Sequence, residues 1–124
     1  MADGISVYAS GSQACVISTE HTLVETSSPG LFLADLDLSN LAASDTLEIR
    51  YYTPVASGGT KRQAALASFS NAQNSTTDAL SAHKDVLKAL GLQRLGTPYG
   101  FKLTIKQTAG TGRTIPWVVT QVSP

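Results

Sequence analysis

The sequence predicts a mainly β, antiparallel domain with at most one helix of consequence. Three observations carry that expectation. Thr46-Leu47-Glu48-Ile49-Arg50-Tyr51-Tyr52 alternates apolar and polar residues, which puts Leu47, Ile49 and Tyr51 on one strand face and Glu48, Arg50 and Tyr52 on the other. Phe101, Leu103 and Ile105 alternate in the same way with Lys102, Thr104 and Lys106. Helical spacing is confined to residues 75–91. The chain has 124 residues, which fits a single domain over 1–124, and neither linker nor low-complexity segment divides it.

The elements follow in order. Gly4 to Tyr8 and Ala14 to Thr19 are short alternating runs around Ser10-Gly11-Ser12 and predict two strands or one bent pair. Glu20 to Ser28 is polar and ends in Ser28-Pro29-Gly30, a turn signal. Leu31 to Leu38 predicts a strand with Phe32, Ala34, Leu36 and Leu38 on one face. Its other face opens with Leu31 and Leu33 and closes with Asp35 and Asp37, so cover on both faces is expected at its start and water on one face at its end. Ser39 to Asp45 reads as a loop with Leu41 tucked beneath it. Pro54 has no N–H for a ladder and stops the Thr46–Tyr52 strand; Gly58-Gly59 turns the chain, and Arg62 to Phe69 returns. Leu66 and Phe69 differ in parity, which predicts a bulge or an end-of-strand turn between them.

Ser75-Thr76-Thr77-Asp78 fits a capping box, with hydroxyl and carboxylate satisfying free N–H groups. Leu80, His83, Val86, Leu87 and Leu90 recur at helical spacing, and Gly91 suits the position after a helix end. One short helix over about 76–90 is expected; a loop followed by a strand from Val86 to Leu92 is the rival. The chain closes with a hairpin turning at Ala109-Gly110-Thr111-Gly112, with Trp117 as a core anchor on the last strand.

Nine basic and nine acidic residues balance, which argues against nucleic acid or membrane recruited by bulk charge. Charged residues are 15% of the chain, so much of its polar surface is Ser, Thr, Gln and Asn, which a partner covers at small desolvation cost. Cys15 is the one cysteine; no intrachain disulfide can form, and it reads as a buried small hydrophobe. The absence of a basic, apolar leader and of an apolar run long enough for a span leads to the expectation of folding in a cytoplasm.

The candidate constellations are sparse. Asp35 and Asp37 share a strand face and could hold Ca²⁺ or act as an acid–base pair, but a solvated strand end explains them as well. His21 reads as exposed and His83 as a core or boundary residue of the helix. Gly110-Thr111-Gly112 opens no helix and cannot cradle phosphate as a phosphate loop does. Lys61 with Arg62, and Lys102 with Lys106, are too few for a nucleic-acid footprint. The expectation is therefore no catalytic, cofactor or metal residues, and no enzyme.

Asp37-Leu38-Ser39-Asn40-Leu41-Ala42-Ala43-Ser44-Asp45-Thr46-Leu47-Glu48-Ile49-Arg50 resembles a segment of small structural proteins of tailed bacteriophages. So do Ser57-Gly58-Gly59-Thr60 and the stretch from Leu103 to Arg113 followed by Pro116-Trp117; Ser75–Gly91 departs from the pattern. The proteins in question are similar to capsid decoration, or cement, proteins. The resemblance implies an antiparallel β-sandwich or jelly-roll-like fold and a place on the exterior of a virion. It implies the major capsid protein lattice as partner, bridged across neighbouring subunits, and a homo-oligomer on the capsid. Pro54–Lys61 and the terminal segments Met1–Gly4 and Ser123–Pro124 are the expected contacts. The alternatives are a collar or tail component and a carbohydrate-binding module using Tyr51, Tyr52 or Tyr99 with Asp35 and Asp37.

Overall fold

The computed structural model describes residues 4–73, 82–93 and 95–123. Among them the chain forms β1 Gly4–Ala14, β2 Glu20–Thr26, β3 Leu31–Asp37, β4 Thr46–Thr53, β5 Arg62–Ser70, β6 His83–Asp85, α1 Val86–Leu90, β7 Phe101–Ala109 and β8 Thr114–Ser123. Each early strand pairs antiparallel with its counterpart counted from the other end: β1 with β8, β2 with β7, β3 with β6, β4 with β5. Further ladders β3–β8 and β4–β7 gather these pairs into two four-stranded sheets, β1-β8-β3-β6 (sheet A) and β2-β7-β4-β5 (sheet B). A long hairpin rolled up on itself gives this order, which is that of a jelly roll. The fold is the expected β-sandwich.

The period of two in the sequence decides what lies between the sheets. Sheet A turns Phe32, Ala34, Leu36, Ile115 and Val119 inward; sheet B turns Val24, Leu47, Ile49, Tyr51, Phe101, Leu103 and Ile105 inward. Phe32 packs against Phe101 in a tilted arrangement, 5.0 Å between ring centres, tying the two layers together. Leu38 and Leu41 close the core just past the end of β3. Trp117 shares an inward row with Gly11 and Leu36, and its ring stands 3.4 Å from where a Cβ on Gly11 would be. It is half-buried at the rim of the core.

Several local expectations need correction. Ser10-Gly11-Ser12 does not break β1, which runs on to Ala14 with a register shift between Val7 and Ala9. Cys15 is buried but lies past the strand end, its N–H donating to the Arg113 carbonyl. The polar stretch after it is a strand, β2; a bulge between Thr22 and Val24 breaks its alternation. No bulge separates Leu66 from Phe69. Leu66 faces out beside Arg50, Phe69 faces in across from Leu47, and the register shift lies at Tyr51/Tyr52.

The expected capping box at Ser75–Asp78 lies outside the described residues. The expected helix does not reach back over 83–85: His83, Lys84 and Asp85 pair with Asp37, Leu36 and Asp35 of β3. The sheet ladder wins there, and Asp85 starts the helix anew by accepting from the N–H groups of Leu87 at 3.0 Å and Lys88 at 3.4 Å. Gly91 ends it at φ 70°. His83 is consequently exposed rather than a core residue, and Val86 to Leu90 is helix rather than the rival strand.

Candidate functional site

Two polar clusters belong to the fold. Asp45 is buried at the end of the sandwich where β3 meets β4 and β7 meets β8. Its carboxylate accepts from the Ala42 N–H at 2.8 Å, the Thr111 N–H at 3.0 Å and Arg113 Nε at 2.7 Å. Burial pushes this carboxyl up, but those three donors and the Arg113 charge outweigh it and hold the group below its usual range. Gln107, also buried, donates to the carbonyls of Ala109 and Thr111 and accepts the Arg113 N–H. Both clamp the β7–β8 turn, and Gly110 is required because a Cβ there would land on the Asp45 carboxylate.

The outer face of sheet B carries the second cluster. Glu20 accepts from Tyr52 at 2.5 Å and Thr104 at 2.6 Å, Arg50 bonds Glu48 at 2.6 Å, and Lys102 lies 4.5 Å over the Tyr52 ring. Burial raises the Glu20 carboxyl, but the hydroxyls of Thr104 and Tyr52 and the charges of Arg50 and Lys102 bring it below its usual value. Apart from Arg50 Nε, which is buried without a hydrogen-bond partner among the described residues, these side chains satisfy one another, which suits a solvated face better than a ligand site.

The outer face of sheet A divides in two. At one end an open groove of about 620 Å³ is lined by Asp35, Asp37, Ser39, His83, Pro116 and Val118, among others. His83 Nε2 lies 3.2 Å from Asp35, and Asp37 accepts the Ser39 N–H at 2.9 Å. That backbone hydrogen bond, with the Ser39 hydroxyl and the His83 charge, lowers the Asp37 carboxyl. No group of three or more His, Cys, Asp or Glu side chains able to hold a metal occurs among the described residues. Trp117 borders this groove but turns its ring inward against Gly11, so it offers no outward stacking platform.

The other end is apolar. The ladders align Ile5, Val122 and Leu31 in one row across the sheet and Val7, Thr120 and Leu33 in the next. Ile5 and Val7 are each 65% exposed and Leu31 is 39% exposed. Leu31 and Leu33 were expected to be covered on this side; no other described element packs over them. The signal was in the sequence, as leucines on both faces of β3, but it could not say that no other described element supplies the cover.

Of the expected contact segments, Met1–Asp3 and Pro124 lie outside the described residues; Gly4, Ser123 and the start of the β4–β5 loop lie at this same end. Gly4 pairs with Ser123, and the β4–β5 loop, which contains Val55 at 96% exposure, leaves β4 where Thr53 bonds the Gly100 carbonyl and Phe101 faces Thr26. Of the tyrosines proposed for glycan binding, Tyr51 is buried, its hydroxyl accepting the Gly96 N–H, and Tyr52 is covered by Lys102; they do not converge with Asp35 and Asp37. His21 is half-buried and accepts the Val16 N–H on Nε2. No helix among the described residues is long and apolar enough to cross a membrane. No protein-family model matches this chain, and no curated protein or solved structure matches it either.

Proposed function

We propose that this protein is a non-enzymatic structural component of a tailed-phage virion that decorates the exterior of the assembled capsid and cements neighbouring major capsid subunits. The observation that carries this reading is the apolar end of sheet A's outer face, where Ile5, Val7 and Leu31 stand exposed in neighbouring rows and no other described element covers them. Exposed apolar side chains grouped on one face offer a partner area to bury. The resemblance noted in the sequence supports it, since the resembling segments, Asp37–Arg50 and Leu103–Arg113, build the Asp45–Gln107 clamp and thus the jelly roll itself. Binding that buries area only at a junction between subunits stabilises the assembled shell by mass action, and an oligomer gains avidity on a repeating lattice.

The test mixes purified protein with expanded capsids that lack it and sediments them, with isolated capsid subunits as control. Saturable binding at a fixed ratio, a raised capsid disruption temperature and loss of binding in Val55→Asp/Leu31→Asp are expected. Equal affinity for free subunits would refute the junction mechanism. Absence of binding to every capsid form would move the role to collar or tail. A carbohydrate-binding role has one specific observation in its favour, the Asp35–His83 groove. Retention on glycan arrays that is lost in Asp35→Asn would select it.

A further inference from the structure

The edge strand β1 points to a partner of its own. Among the described residues it is bonded to β8 on one side only, and nine of its eleven residues are exposed with none buried. An open edge presents unpaired N–H and C=O groups to another chain, and proteins guard such edges with charge, proline or a covering element. Two of the other three edges carry such guards along their length, Glu20 and Glu25 on β2 and His83, Lys84 and Asp85 as the whole of β6, while β5 has Arg62 at its start and α1 packed against it. β1 has no charged residue and no proline from Gly4 to Ala14. Its single irregularity, at Tyr8, leaves Ala9–Ala14 in regular register.

We propose that two copies of this chain pair through β1, antiparallel about a two-fold axis, to give one continuous eight-stranded sheet. Such an interface sets the same surface against itself. A strand without charge meets no like charge in its copy, and the whole chain has a formal net charge of zero. The apolar face alone does not suffice. Three strands by five residues, at ~4.8 Å spacing and ~3.4 Å rise, give roughly 240 Å². A stable interface buries about 800 Å² on each partner. Edge pairing supplies main-chain hydrogen bonds instead of area. The axis stands perpendicular to sheet A, so both copies present Ile5, Val7, Leu31 and Leu33 on the same side, and the apolar surface doubles. Only the use of that doubled surface rests on the capsid reading.

The test is sedimentation equilibrium of the intact chain from micromolar to millimolar concentration. A mass of two chains is expected. Val7→Lys and Ser12→Lys, both exposed on β1, should weaken association tenfold or more, whereas Ser68→Lys on the outer face of sheet B should not. Thermal melts of each variant check that the fold persists. A chain that stays monomeric throughout, or β1 variants that associate as the parent does, would overturn the inference. Capsid binding by a strictly monomeric protein would overturn it and leave the proposed function standing; a β1 dimer that binds no capsid would do the reverse.

Discussion

Asp45 joins parts of the chain that are far apart in sequence. Arg113, which it bonds, lies 68 residues on, and the Ala42 and Thr111 amides belong to two different connections. Asp45→Ala leaves two backbone donors without their acceptor in a dry site and should cost about 2–4 kcal/mol, measurable by urea unfolding. The folded carboxyl titrates below its unfolded value. Its contribution is therefore complete above the unfolded pKa, near 4, and is lost as pH falls through the lower folded pKa. Parent and Asp45→Ala stabilities should converge only in that acid range; a gap independent of pH would contradict the assignment. At this scale the inward apolar residues were legible. Leu47, Ile49, Phe101, Leu103 and Ile105 are where a period of two places them, and Leu41 lies beneath its loop as expected. Asp45 and Gln107 were not, because a polar residue in or beside a turn looks the same whether it faces water or clamps a distant loop.

Elements were legible where alternation ran unbroken, as in β3, β4 and β7. They were obscured where a bulge shifted the phase, as in β2, or where two periods overlapped, as at residues 83–90. His83 and Val86 fit a helical stripe, yet β3 has an open edge beside Lys84, and pairing there takes precedence. Leu95, which bonds Phe32 in both directions, continues that cover along β3. The groove lined by Asp35 and His83 exists because β6 is a strand, so it was hidden with it. Trp117 shows the opposite case. Its anchoring role is visible in the sequence, but the small residue that receives it, Gly11, had been read as part of a break. Trp117→Ala should cost about 2–3 kcal/mol, below the ~3–5 of a fully enclosed aromatic, because its ring lies at the rim. A loss under about 0.5 kcal/mol in chemical denaturation would place the ring outside the core.

For the molecule as a whole, the nested pairing makes early and late strands neighbours throughout. β8 is central in sheet A and β7 in sheet B, so neither sheet is complete until the last hairpin is in place. The Gly4–Ser123 rung has a practical consequence for engineering. The two ends of the described chain stand one strand spacing apart, so a short flexible linker can close the backbone into a ring without moving a strand. New ends can then be cut in the β4–β5 loop between Ser57 and Gly58, where the local structure is the single Gly59 to Ala56 turn bond. Such a circular permutant should keep the parent's far-UV circular dichroism and melt cooperatively; a molten or aggregated product would argue against this pairing. It would also carry any fused cargo at the apolar end, beside the face assigned to partners.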